Sequence, residues 1–262
     1  MLESIKQKFP WEWSAMGKHP VALDYFRLGV SAPLVNAFAG WIENGYQKVV
    51  GRNRDTSAFH SWRFWARGIS KGHIACGVAR DSFDSAGRPY PLLIMGIGRL
   101  SNWEANWDLL NFLFEGIWNQ MEYVASRRFA DLKELESEIS RIKLPAEDWP
   151  TLADQRLLAG GPDHMSKEPR YSHVLHDVQK AAETLLKGNE FHVSINNDHG
   201  GDALLLSGYW NCALKSRMDI IPNAAFMGGV PERSYLAIFT RSLNSSDFAR
   251  LWSVSSEDHL AF

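Results

Sequence analysis

Residues 61–67 read Ser61-Trp62-Arg63-Phe64-Trp65-Ala66-Arg67. Trp62, Phe64 and Ala66 fall on one side of an extended chain, and Arg63, Trp65 and Arg67 on the other, which predicts a strand. Downstream, Ile74-Ala75-Cys76-Gly77-Val78-Ala79 predicts a buried strand, and residues 90–97 predict another. Pro91 lies near the start of that third run, where a missing N–H is tolerated. Residues 81–89, Asp81-Ser82-Phe83-Asp84-Ser85-Ala86-Gly87-Arg88-Pro89, form the connection.

Helices flank these strands. Leu34, Phe38, Trp41, Ile42 and Val49 recur at helical spacing, with Ser31 and Pro33 suited to a helix start. After Arg99, Ser101 and Glu104 have the spacing of a capping box. Trp103, Trp107, Leu110, Phe114, Ile117, Met121 and Val124 then form one apolar stripe. Leu132, Leu135, Ile139 and Ile142 predict a further helix over 129–143. Periodicity then lapses across 145–169, where Pro145, Pro150, Gly160, Gly161, Pro162 and Pro169 predict a long loop or linker. Beyond it we expect a helix over 171–187 closed by Gly188 or Asn189, and a strand through Phe191, Val193 and Ile195. A turn over 196–202, strands over 204–209, 224–227 and 235–240, and a short helix over 246–252 complete the reading. Interspersed strands and one-faced helices favour an α/β fold with helices on both sides of a mixed sheet.

The 262 residues suffice for one large domain or two small ones. Lys and Arg number 28 and Asp and Glu 30, a net charge of -2 that gives no electrostatic reason to expect nucleic acid or anionic lipid. No run approaches the ~20 apolar residues that span a bilayer. The start, Met1-Leu2-Glu3-Ser4-Ile5-Lys6, lacks the apolar run of a signal peptide, so a cytoplasmic location is expected. Cys76 and Cys212 sit in apolar surroundings without metal-ligand spacing, which suits buried free thiols in a reducing compartment. The 11 tryptophans suit a bulky core, or a few of them a binding surface.

A search for catalytic chemistry finds little. There is no Gly-x-Ser-x-Gly elbow and no phosphate-binding loop. Gly96-Ile97-Gly98 lacks the third glycine of a dinucleotide turn. His173 and His176 share a helix face, but no further ligand completes a metal site. Asn196-Asn197-Asp198-His199-Gly200-Gly201-Asp202 has the composition of a turn, with a divalent cation as the alternative. In the 81–89 loop, Asp81 or Asp84 pairs with Arg88 to brace the connection, or the loop is displayed for recognition.

This loop and its flanks carry a family resemblance. Gly77, Val78, Ser82, Asp84, Gly87, Arg88, Tyr90, Pro91 and Leu92 are similar to the TagF/ImpM pattern Gly-Val, Pro-Ser-x-Asp-x-x-Gly-Arg, aromatic-Pro-Leu, with Asp81 standing where that pattern has Pro. Trp62-Arg63-Phe64 resembles that family's Trp-Arg-Phe strand. Gly17-Lys18-His19-Pro20 with Asp24-Tyr25-Phe26 resembles its early Gly-Lys-x-Pro and Gly-Asp-Phe. Ser207-Gly208-Tyr209-Trp210 and Phe226-Met227-Gly228-Gly229-Val230-Pro231 are weaker echoes.

The resemblance implies one domain over 1–262, divisible into halves at 1–144 and 171–262 around 145–170. It implies a three-layer α/β/α sandwich on a mixed, largely antiparallel sheet. It implies a non-enzymatic regulator associated with type VI secretion, generally a post-translational repressor, whose partner is a forkhead-associated scaffold protein. No catalytic residue, metal or cofactor is expected. Arg63, Trp65, Ser82, Asp84 and Arg88 are the candidate protein-binding residues. Gly17, Lys18, Pro20, Asp24, Trp62, Phe64, Gly77, Gly87, Tyr90 and Pro91 are the structural motif. The alternatives are an assembly accessory of the secretion apparatus and a metal hydrolase using the 198–202 turn.

Overall fold

The computed structural model describes residues 11–50, 58–158, 172–195 and 202–254. Eight strands form one sheet: β1 (Glu12–Gly17), β2 (Phe26–Gly29), β3 (Ser61–Arg67), β4 (His73–Arg80), β5 (Leu92–Arg99), β6 (Glu190–Ser194), β7 (Ala224–Val230) and β8 (Arg233–Phe239). Their spatial order is β2-β1-β5-β4-β3-β7-β8-β6. Every neighbouring pair is antiparallel, so the expected mixed sheet is wholly antiparallel. The helices are α1 (Pro33–Val50), α2 (Leu110–Ser126), α3 (Leu132–Ser140), α4 (Trp149–Leu158), α5 (Ser172–Gly188), α6 (Ala203–Lys215) and α7 (Ser245–Leu251), with a 3₁₀ segment (Trp103–Leu109) leading into α2.

The alternation of β3 sorts its side chains into two separate apolar cores. Trp65 joins Ile74, Cys76, Val78 and Ile94 against the 3₁₀ segment, α2, α3 and α6. Trp62, Phe64 and Ala66 join Ala75, Leu93, Met95 and Phe226 against α1 and α7. Nine of the 11 tryptophans are buried and Trp13 and Trp149 are half-buried, so the surface-tryptophan reading does not hold. Several find acceptors for their N–H: Trp118 donates to the Phe64 carbonyl at 3.2 Å and Trp41 to the Asn244 carbonyl at 2.8 Å. Among the described residues, no helix is long and apolar enough to cross a membrane.

Four local expectations change. The apolar stripe after Arg99 is buried as expected, but its first seven residues are 3₁₀ and the capping box does not form. Glu104 instead accepts from the Gly72 N–H at 2.8 Å, across the β3–β4 turn. Residues 204–209 are helical, inside α6, because Asp202 caps the helix by accepting from the Leu204 N–H at 2.8 Å. A short apolar run fits either periodicity, and here the cap decides. Cys212 therefore sits half-buried on a helix, while Cys76 is buried in β4; neither forms a disulfide among the described residues. The expected loop over 145–169 contains α4, where Asp148 accepts from the Thr151 N–H and hydroxyl and Pro150 occupies the first turn. Finally, β1 and β2 have no counterpart among the expected strands.

A buried carboxylate ties α4 and α6 to the 3₁₀ segment. Asp108, whose side chain is 4 % exposed, holds both Arg156 and Lys215. Removing it leaves two cations facing each other with no anion between them. Asp108→Ala is expected to lower stability by about 2–3 kcal/mol in urea unfolding. That is below the roughly 3–5 kcal/mol of a fully buried pair, because both cations reach water. A loss below about 0.5 kcal/mol, the range of an ordinary surface change, would contradict this role.

Candidate docking site around Asp84

The sheet order places β1 beside β5, so the β1–β2 loop meets the β4–β5 loop. Gly17 ends β1 with φ 118°, and a Cβ there would lie 2.0 Å from the Pro91 carbonyl oxygen. Only glycine allows both that angle and that approach. Lys18 follows immediately, and its Nζ lies 2.9 Å from Asp84 Oδ2. Pro20 lies within a tight turn in which the Ala22 N–H donates to the His19 carbonyl at 2.8 Å. His19 is buried beneath this turn; its Nδ1 accepts from the Val21 N–H at 3.2 Å and its ring lies 5.6 Å from that of Phe129. Burial lowers its pKa, the Arg127 backbone opposes, and the Arg80 charge adds to the lowering.

Asp84 is the hub. It has no exposed surface. Its Oδ1 accepts from the Ala86 and Arg88 N–H groups, each at 3.0 Å, and its Oδ2 accepts from Arg88 Nε at 2.8 Å as well as from Lys18. Burial pushes its pKa up, but the Lys18 hydrogen bond, the Arg88 and Ala86 N–H groups and the Arg88 charge together bring it down to about 2. Gly87 closes the turn at φ 78°, with its N–H donating to the Asp84 carbonyl at 2.9 Å. Of the two carboxylates considered for Arg88, it is Asp84 that pairs with it. Asp81 instead accepts from the His60 backbone N–H and the Trp252 indole, each at 2.9 Å, and its Oδ2 is 2.9 Å from His60 Nδ1.

Further bonds lock the two loops together. The Ser85 N–H donates to the Ala22 carbonyl at 2.9 Å, and Arg88 donates to the Leu23 carbonyl at 2.7 Å while lying 3.2 Å from Asp24. The Tyr25 N–H, opposed by burial and aided by Arg88 and Lys18, holds the Asp24 carboxyl below its usual value. Behind the loop, the Tyr90 hydroxyl donates to Glu43 at 2.7 Å and the Tyr46 hydroxyl to the Pro89 carbonyl at 3.1 Å. Tyr90 also packs against Tyr25 and Tyr46, and burial together with Glu43 raises its pKa. Among the residues this braced pair of loops shows to solvent are Leu23, 84 % exposed, and Phe83 and Tyr25, about half exposed.

The structure therefore brings together Gly17, Lys18, Pro20, Asp24, Asp84, Gly87, Arg88, Tyr90 and Pro91. Ser82 joins through its backbone, accepting from the Tyr90 N–H at 3.0 Å. Trp65 does not join: it has no exposed surface and packs on Trp103 and Trp107. Trp62 and Phe64 fill the opposite core, and Gly77 makes room for the Phe64 ring. Arg63 makes a two-pronged pair with Glu122 of α2, at 2.8 and 2.6 Å, and donates to Asn119. It lines a separate polar cleft of about 390 Å³ with Glu115 and Asp202. Sequence reasoning missed Leu23, Tyr25 and Phe83 as displayed residues. The one available signal was Phe83, an aromatic residue between charged loop positions with no periodic partner.

Among the described residues, no three His, Cys, Asp or Glu side chains are placed to hold a metal ion. Asp198 and His199, and the His173 and His176 side chains, lie outside the described residues.

The depressed Asp84 pKa fixes the sign of a pH effect. Its folded value of about 2 lies below the ordinary 3.8, so its contribution is complete above about pH 4 and disappears as pH falls through 2. Asp84→Asn is expected to melt at lower temperature than the parent at neutral pH, with the gap closing between about pH 4 and pH 2. A gap that is constant over that range would show that the carboxylate charge is not what holds the loops.

Three comparisons bear on identity. The chain matches no curated protein sequence. Among solved structures it resembles the crystal structure of PA0076 from Pseudomonas aeruginosa PAO1, with a TM-score of 0.53 and 14 % identity over 95 % of this chain and 98 % of that one, a likeness of fold. Residues 14–142 match the TagF N-terminal domain, type VI secretion system-associated, a span that encloses the Asp84 hub and both loops it joins. The chain therefore carries a TagF N-terminal domain, type VI secretion system-associated.

Proposed function

We propose that this protein is a non-catalytic regulator of type VI secretion, a post-translational repressor that binds a forkhead-associated scaffold protein with the face around Asp84. The observation that carries this reading is the display of Leu23, Tyr25 and Phe83, beside the half-exposed Arg88, on two loops braced by Asp84. Aromatic and arginine side chains on a preorganised surface are the usual anchors of protein interfaces, because little freedom is left to lose on binding. Asp84 acts from beneath, as a positioning residue, and Arg63 supports α2 rather than the docking face. The same reading takes the two apolar cores as the contacts of two helical layers with the central sheet, a three-layer sandwich that keeps the loop-bearing end stiff.

The test is binding of the purified chain to the forkhead-associated protein of the same secretion system. Leu23→Asp combined with Phe83→Asp is expected to weaken binding at least ~10-fold without lowering the melting temperature. In cells the same variant is expected to raise secretion with transcript levels unchanged. Unaltered affinity and unaltered secretion in the double variant would remove the reading.

A further inference from the structure

At the opposite end of the sheet lies a groove that the proposed docking face does not use. Its first part is a cleft of about 450 Å³ between α1, the ends of β3 and β7, and the residues after β8. Phe38, Trp41, Ala66 and Ala224 form its apolar floor. On its rim stands Ile69, 87 % exposed at the tip of the β3–β4 hairpin. The charged residues lining it are Arg67 and Arg241, and no carboxylate lines it. Arg241 is neutralised by Asp247 and Glu190. Arg67 is exposed and makes no ion pair among the described residues, and neither does Lys71 on the same hairpin.

The cleft continues along α1 into a second hollow of about 690 Å³, sharing Ala37, Trp41 and Leu243 with the first. Its lining changes to amides, with Asn36, Asn44, Gln47 and Asn244, and it ends at Lys48. Gly40 leaves the trough open, since a Cβ there meets nothing within 4 Å. From Leu34 to Lys48 the helix is ~21 Å long, the span of about six extended residues.

We propose that this groove takes a short, extended acidic segment of a partner protein that carries one bulky apolar anchor. The socket between Phe38, Trp41 and Ile69 is sized for a large side chain. Asn36, Gln47 and Asn244 each spend part of their amide on Arg27, Glu43 and Ser246, and the groups that remain, with Asn44, suit the main-chain donors and acceptors that an extended peptide presents on both edges. Arg67 and Lys71 at one end and Lys48 at the other select carboxylates, because no anion of the groove's own lining opposes them. The concave shape and the single exposed apolar tip disfavour a membrane surface, which needs a broad convex apolar face.

This site is independent of the Asp84 face, so its test stands or falls alone. The probe is an acetylated, amidated hexapeptide of sequence Asp-Glu-Leu-Phe-Asp-Asp, titrated into the full chain and followed by calorimetry and backbone NMR shifts. The expected result is saturable binding tighter than ~1 mM, with shifts on α1 and the β3–β4 hairpin. Arg67→Glu is expected to weaken it at least ~5-fold, Ala37→Trp to abolish it by filling the groove, and a version with Lys at every acidic position not to bind. No saturation by ~2 mM, or equal affinity in the Arg67→Glu variant, overturns the proposal. So does saturable binding of decanoate without binding of the peptide, which would assign the cleft to a free amphiphile.

Discussion

A buried carboxylate can stay ionised only if donors replace the water it has lost, and Asp84 is surrounded by four. Two are backbone N–H groups of its own loop, which fixes the turn around Ser85–Gly87. Two are side chains, Lys18 and Arg88, which fix the neighbouring loop. The hub is therefore a constraint on the fold as well as a local contact. It requires β1 to lie beside β5, so that the end of one strand delivers Lys18 to the start of the other. Gly17 is the backbone condition for that approach, since any side chain there would collide with Pro91.

The two ends of the sheet are built differently. At the Asp84 end, charges pair with one another: Lys18, Asp24 and Arg88 all lie against one another or against Asp84, and Asp24 and Arg88 stay exposed beside Leu23, Tyr25 and Phe83. At the α1 groove, the apolar groups form a recessed floor and the cations stand on the rim. The first arrangement suits a broad protein surface that buries aromatic anchors. The second suits a narrow segment with carboxylates beside an apolar residue.

Much of this was legible in the chain. The alternation of residues 61–67 gave β3 with its limits and the side to which each residue points. The stripe from Trp103 to Val124 gave the buried face of α2, though not the 3₁₀ geometry of its approach, because 3₁₀ and α turns place apolar residues at similar spacings. The Arg88 pair was readable as one of two choices, since both carboxylates sit in the same loop. Lys18 was not readable as its second partner, because that contact depends on strand order, and strand order is non-local. β1 escaped notice because Ser14 is buried by a hydrogen bond from its hydroxyl to the Val30 carbonyl rather than by apolarity, which erases the alternation. Trp65 was a candidate for the surface because alternation separates two faces but cannot say whether the second face meets water or another core.

The central claim is that the Asp84 carboxylate, and not the length or composition of the loop, makes the 81–91 segment rigid. Amide hydrogen exchange measured residue by residue tests it directly. The Ala86, Gly87 and Arg88 N–H groups are expected to exchange slowly in the parent protein, at rates near those of β4 and β5, and quickly once Asp84 is replaced by alanine, while the strand amides keep their protection. Fast exchange at those three amides in the parent protein would contradict the account.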